Sequence, residues 1–307
     1  MSDRLMLLDT ASLYFRAFYG VPDTVRTAEG TPVNAVRGLL DMIAKLVTMY
    51  EPTHLIACWD DDWRPQWRVD LIPTYKTHRV AQVVEVGPDV EVVPDPLEAQ
   101  IPAIREALTA LGIPIVGKAE YEADDIIGTL ATTATMPVDI ITGDRDLFQL
   151  VSDERAVRVV YTARGMSKLE IITDAVVVAK YGVLPEQYAD FATMRGDASD
   201  GLPGVPGVGE KTAAGLLQTH GDLAAIIAAA DAGEGMSAGV RTKLLTALPY
   251  LQAAPTVVEV ARNIDLPEVD AQLRPLDDDA LTYGEALAQR WNLGSSWERA
   301  VAALATR

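Results

Sequence analysis

Residues 120–131 read EYEADDIIGTLA, and residues 139–151 read DIITGDRDLFQLV. The first stretch sets Glu122, Asp124 and Asp125 at the start of a helix, because Ile126, Ile127, Leu130 and Ala131 recur at helical spacing. In the second, a short β-branched run over residues 138–141 turns at Gly143 and delivers Asp144 and Asp146 just beyond the strand. Five acids therefore crowd where a strand ends and a helix begins, which in an open α/β sheet is the crevice that takes ligands. Carboxylates packed so closely cannot all ionise without a compensating cation, and hard oxygen donors select Mg²⁺ or Mn²⁺ over softer metals. The plainer account is a helix N-terminus whose dipole favours acids in its first turn.

Two earlier strand ends repeat the arrangement. Residues 4–8 read as a buried strand ending at Asp9, with Ser12 placed to cap the helix that follows, and residues 54–59 form another strand that stops at Asp60. Between them Val36, Leu39, Leu40, Ile43, Leu46 and Val47 mark an amphipathic helix. One Asp after a strand is ordinary turn chemistry. Three strand ends with acid at the same edge point instead to a shared site.

Outward from this edge the chain changes character. Residues 61–79, DDWRPQWRVDLIPTYKTHR, interleave Arg64, Arg68, Lys76 and Arg79 with Trp63, Trp67 and Tyr75. That mixture suits base stacking and phosphate contact, and it equally suits a solvated loop with snorkelling side chains. Residues 80–100 are acidic and rich in Val and Pro, and the pattern leaves arch, ribbon and loop open. A helix over 101–111, strands over 113–116 and 157–161, and helices near 173–181 and 185–194 complete an alternating pattern. The expected fold is α/β, a mostly parallel central sheet flanked by helices, followed by a helical second part with helices over 209–219, 222–230 and 237–248. We expect an α/β core over 1–185, a helical region over 186–264, and a segment over 265–307, carrying Trp291 and Trp297, that docks back on the core.

Composition narrows the function. The chain of 307 residues is 49% hydrophobic and 23% charged, enough for a full core and unlike a disordered segment. Its formal charge of −18 is opposite to the usual footprint of a nucleic-acid binder, so any contact with DNA should be local and salt-sensitive. The single cysteine, Cys58, excludes an internal disulfide and fits a small buried hydrophobe, and His54, His78 and His220 lack zinc-ligand spacing. The start MSDRLMLLDT lacks signal-peptide architecture, and no apolar run spans a bilayer, so no membrane partner and a cytoplasmic location are expected.

A second constellation lies at residues 194–217, MRGDASDGLPGVPGVGEKTAAGLL. Asp197 and Asp200 add two carboxylates. Gly204, Gly207 and Gly209 then lead into a helix that starts near Glu210, so backbone amides, the helix N-terminus, Lys211 and Thr212 can all face an anion. The spacing differs from that of a Walker loop. A plain glycine turn between helices is the alternative.

In this order, Asp9, the WD at Asp60, PTYKTHR, YEADD, TGDRDLFQL and GDASDGLPGVPGVGEKTA resemble the flap endonuclease or 5′→3′ exonuclease family, similar to the 5′-nuclease domain of bacterial DNA polymerase I, over roughly residues 4–265. The resemblance implies a stand-alone bacterial enzyme that cuts DNA phosphodiesters in replication and repair with two or more Mg²⁺ or Mn²⁺ ions. It assigns one ion to Asp9, Asp60, Glu122 and Asp124, and a second to Asp144, Asp146 and Asp200, with Asp125 and Asp197 close by or acting through water. It further implies that GVPGVGEKTA is a helix–three-turn–helix module that grips duplex phosphates with a K⁺ ion on its carbonyls. Lys76 and Arg79 correspond to bases that neutralise the scissile phosphate, Arg16 to another active-site base, and Phe15 to the stacking aromatic. The expected partner is nicked, flapped or 5′-ended duplex DNA, with DNA or RNA at the 5′ end left open, and the expected state is a monomer. A branched-DNA-binding protein of the same fold without cleavage is the alternative. A phosphatase of the haloacid dehalogenase type would need an Asp where Ala11 stands.

Overall fold

In chain order the computed structural model, which describes residues 3–84 and 87–305, opens with strand β1 (Leu5–Asp9), helices α1 (Thr10–Gly20) and α2 (Asn34–Tyr50), strand β2 (His54–Cys58) and helix α3 (Gln66–Leu71). A two-stranded ribbon, β3 (Val80–Gln82) with β4 (Val90–Glu91), precedes α4 (Asp95–Glu98), α5 (Ile101–Ala110) and β5 (Ile115–Val116). Next come α6 (Ala123–Thr133), β6 (Val138–Thr142), β7 (Val157–Tyr161), β8 (Glu170–Ile172), α7 (Asp174–Tyr181) and α8 (Tyr188–Arg195). The remainder is helical: α9 (Glu210–His220), α10 (Leu223–Ala232), α11 (Ala238–Thr246), α12 (Leu248–Val258), α13 (Asp278–Arg290) and α14 (Ser295–Leu304).

Strand order in the main sheet is β5-β2-β1-β6-β7-β8. All pairings are parallel except β7 with β8, an antiparallel edge that the sequence pattern did not reveal. β1 is buried along its whole length, which is why its sequence is an unbroken LMLLD rather than an alternating one. Its register sets Leu8 against Ala57 on one side and Ile141 on the other, so the carboxyl ends of three strands finish level. The chain runs from β1 outward through β2 to β5, then returns to the other flank of β1 with β6. The strand order reverses there, and a crevice opens at that point.

Alternate residues of β1 feed two cores. Leu5 and Leu7 pack with Ile126 and Ile127 of α6 and with the helices of the second part. Met6 and Leu8 pack with α1, α2, α5 and the C-terminal α14, whose Trp297 is 4% exposed. The C-terminal segment also adds backbone bonds beside β2, from Leu55 N–H to the Ala271 carbonyl at 2.9 Å and from Leu273 N–H to the Thr53 carbonyl at 2.8 Å. Two local expectations change. The side chain that caps α1 belongs to Asp9, which accepts from the Ser12 N–H, and not to Ser12. The helix expected over 237–248 stops at Thr246, and residues 248–258 form a separate helix that carries Pro255 inside it. Among the described residues no helix is long and apolar enough to cross a membrane.

Trp297→Ala should therefore lower stability by about 3–5 kcal/mol, the usual cost of emptying a buried aromatic site. Urea denaturation reads this directly, and a loss below about 1 kcal/mol would show that α14 is not part of the core.

Candidate metal centre

Parallel register brings Asp9, Asp60 and Asp144 to the same sheet edge, and α6 and the loop after α8 approach it from either side. Together they line a cleft of about 390 Å³ whose walls include Asp9, Asp60, Glu122, Asp124, Asp144 and Asp197, with Lys76, Arg79 and Arg145 as its cations. Phe15 lines the same cleft. Arg16 faces an adjoining groove with Phe15, Tyr19 and Met42, and its Nε is buried without a partner.

Each acid has its own setting. Asp9 accepts from Thr142 Oγ1 at 2.6 Å and from the Ser12 N–H at 3.2 Å. Burial nevertheless raises its carboxyl to about 7, helped by the Asp60 and Asp144 charges. Asp60 accepts the Ala123 N–H at 2.8 Å, and burial raises it to about 6. Burial pushes Asp124 well above the ordinary range, and the Asp9, Asp144 and Glu122 charges add to the shift while Lys76 opposes it. Asp146 is raised by burial and by Asp144, Asp200 and Asp197, and its Oδ1 is buried with no hydrogen-bond partner. Asp144 accepts the Asp146 N–H at 2.9 Å. Asp197 accepts the Ser199 N–H at 2.8 Å and faces Arg195 at 3.5 Å, and Asp200 pairs with Arg79 at 3.2 Å.

Glu122 caps α6 and already holds three donors. Arg68 donates to it at 3.1 Å, the Tyr75 hydroxyl at 2.6 Å, and Lys76 Nζ binds its second oxygen. Lys76 carries a left-handed backbone, φ 47°, fixed by its N–H to the Asp200 carbonyl at 2.9 Å. The Asp200 loop reaches it because Gly201 has no side chain: a Cβ there would fall 2.1 Å from the Thr74 carbonyl oxygen.

Several expected roles are corrected by these contacts. Asp125 faces away from the cleft: its carboxylate takes Arg68 through two bonds, at 2.7 and 2.8 Å, plus the Glu122 and Ala261 N–H groups, so no lone pair is left for a direct metal bond. Tyr75 is 4% exposed with its hydroxyl committed to Glu122, so its ring is no stacking platform. Arg64 and Arg68, for which phosphate contact and a solvated loop were both left open, are instead buried in ion pairs with Asp89 and with Glu122 and Asp125. Sequence reasoning missed Glu91, a further cleft acid carried by β4, and Arg145, which stood in view within TGDRD. No local signal could have marked Glu91, since the ribbon pattern was ambiguous.

Among the described residues no three of these carboxylates converge closely enough to ligate one ion as they stand. The donor set still fits hard divalent cations. Burial disfavours the charge of Asp124 and Asp146, Asp146 Oδ1 has no donor at all, and Asp9 and Asp60 are raised by burial and then by neighbouring carboxylates. A bound cation would reverse each of these penalties.

The glycine-rich turn lies beyond this cleft. Gly204 and Gly207 adopt φ of +64° and +77°, and a Cβ at Gly204 would lie 2.5 Å from the Arg195 carbonyl oxygen, so the turn closes only with glycine. Gly209 caps α9 in an extended conformation, with open space where its side chain would be. Lys211 is exposed and Thr212 half-buried in the first turn of α9, while Lys243 of α11 donates to the Gly207 carbonyl at 2.9 Å.

Comparison with known proteins adds independent findings. Residues 4–182 match the model of the 5′-3′ exonuclease N-terminal resolvase-like domain, and residues 183–279 match that of the 5′-3′ exonuclease C-terminal SAM fold. A protein named 5′-3′ exonuclease from Streptomyces coelicolor is 57% identical over 97% of this chain and 99% of its own length. DNA polymerase I of Mycobacterium tuberculosis is 40% identical over 90% of this chain, a stretch that makes up 29% of the polymerase. The T5 5′-exonuclease, solved with divalent zinc, shares the fold with a TM-score of 0.64 at 18% identity, over 98% of each chain.

The pH dependence of stability tests the electrostatics. With folded values of about 7 for Asp9 and about 6 for Asp60, the folded chain binds more protons than the unfolded one above the ordinary carboxylate range. The stability these groups permit is complete below that range and is lost as pH rises through 6 and 7. In EDTA, Tm should therefore fall between pH 5 and pH 8, and Mg²⁺ should restore it chiefly at pH 8. A metal-free Tm that is flat or rising over that interval would contradict the geometry.

Proposed function

The chain belongs to the 5′-3′ exonuclease family, which makes it a nuclease, and on that premise we propose that the acidic cleft is where it hydrolyses DNA phosphodiesters at the 5′ end of nicked, flapped or recessed duplexes. One observation carries this reading: carboxylates from three parallel strand ends, from the start of α6 and from the loop after α8 line a single cleft beside Lys76 and Arg79.

Asp9, Asp60, Asp124, Asp144 and Asp146 are the residues that would hold Mg²⁺ or Mn²⁺, with Glu122, Asp197 and Asp200 beside them. Such ions, when bound, supply an activated water and stabilise the leaving oxygen. Lys76 and Arg79 hold positive charge at the cleft wall, where it opposes the charge of the scissile phosphate. Phe15 presents a ring at the junction of the cleft and the adjoining groove, suited to a terminal base that has left its stack. The α9 N-terminus, with Lys211 and Thr212, offers amide and side-chain donors to the duplex backbone. A K⁺ ion on the carbonyls of this turn would compete with the Lys243 ammonium for Gly207. The alternative reading is a protein of this fold that binds branched DNA without cutting it.

Cleavage of a 5′-labelled nicked duplex separates the two. Mg²⁺ or Mn²⁺ should support cutting and EDTA should stop it. Asp124→Asn and Asp144→Asn should each lower kcat by at least about 10²-fold while retaining duplex binding. Lys211→Ala should instead weaken binding and lower its salt slope by about 1. Binding without any cleavage would support the second reading, and full activity of Asp124→Asn would overturn the site assignment.

A further inference from the structure

The insert between Arg79 and α5 contains the β3–β4 ribbon, with Val80 paired to Glu91 and Gln82 to Val90. Its outer face carries exposed Val83, Val90 and Val92. Its base is pinned. Arg64 donates to Asp89 at 2.5 Å in an ion pair whose side chains are 7% and 9% exposed, and the Trp63 indole N–H donates to the Asp89 carbonyl at 2.7 Å. Val84 N–H donates to the other Asp89 oxygen at 3.0 Å, and Val92 N–H to the Arg79 carbonyl at 2.7 Å. Arg64 is itself held by the Tyr75 carbonyl at 2.6 Å. The ribbon is thus fastened to the same segment that carries Lys76 and Arg79, and breaking a buried ion pair to move it is costly.

Fastened in this way, the ribbon puts Glu91, two residues past Asp89, into the cleft wall alongside Asp60, Lys76 and Arg79. We propose that Glu91 is a specificity-determining residue that biases this nuclease toward 5′ ends lying at the cleft and against long single-stranded 5′ flaps. The inference rests on the nuclease reading above and names the substrate class of that same site. A flap that continues past the scissile phosphate must bring further phosphates to the cleft mouth. Lys76 and Arg79 already face Glu122 and Asp200, so an added carboxylate leaves little positive charge to receive them. Phosphate beside carboxylate is repelled, and that repulsion works as a filter between otherwise similar ligands. A recessed or nicked 5′ end brings at most its one terminal phosphate there, whereas a long flap brings many.

The test compares kcat and KM in Mg²⁺ on a 5′-phosphorylated nicked duplex and on the same duplex with a long 5′ flap. The wild-type chain should prefer the nick. Glu91→Gln should raise the flap-to-nick ratio of kcat/KM by about fivefold, mostly through a lower KM for the flap, and Glu91→Asp should keep the original preference. In EDTA, Glu91→Gln should also bind a 5′-phosphorylated single strand more tightly, with a steeper salt dependence. An unchanged ratio in Glu91→Gln, or a wild-type chain that prefers the flap, overturns this inference while leaving the nuclease reading intact. A wild-type chain that cuts neither substrate overturns the nuclease reading and this inference with it.

Discussion

The burial of many carboxylates at one sheet edge is the constraint on which this structure depends. Asp9, Asp60, Asp124 and Asp146 sit where burial disfavours their charge, and the protein's own cations reach only part of the cluster. Lys76 and Arg68 compensate Glu122, and Arg79 compensates Asp200, but Asp146 Oδ1 has no donor. A fold evolved for stability alone would replace such acids with apolar side chains of similar size. Their retention at one sheet edge is explained by a charged ligand.

Arg68 converts this electrostatic problem into a structural joint. It binds Asp125 through two bonds, shares Glu122, and donates to the Val257 carbonyl at 3.1 Å. Asp125 then accepts from Ala261, while Gln149 bonds both the Val258 carbonyl and the Val260 N–H. The end of α12 is thereby sewn to α6 and to the segment after β6. The same residues fix where the start of α6 faces, so the position of Asp124 in the cleft is coupled to the docking of the helical second part.

Much of this was legible in the sequence because buried parallel strands write themselves as continuous apolar runs, and acids at Asp9, Asp60 and Asp144 interrupt those runs at the same level. The adjacent pair Asp124 and Asp125 was not separable in the same way. Neighbours on a helix point about 100° apart, and only Arg68 and Ala261, distant in sequence, decide which of the two faces the cleft. Tyr75, Arg64 and Arg68 looked like a solvated basic loop because their partners, Glu122, Asp125 and Asp89, lie on other elements. The edge strand β8 and the Pro-containing α12 escaped because short edges and internal prolines weaken the periodic signal. Glu91 was hidden by a segment too irregular to assign a face.

Convergence of the carboxylates on divalent ions is the central claim, and anomalous diffraction from crystals equilibrated with Mn²⁺ addresses it most directly. The account predicts strong anomalous peaks inside the cleft within bonding distance of Asp9, Asp60, Asp124, Asp144 or Asp146, with Asp125 still on Arg68. A cleft free of anomalous density at saturating Mn²⁺, with these side chains unmoved, would contradict it.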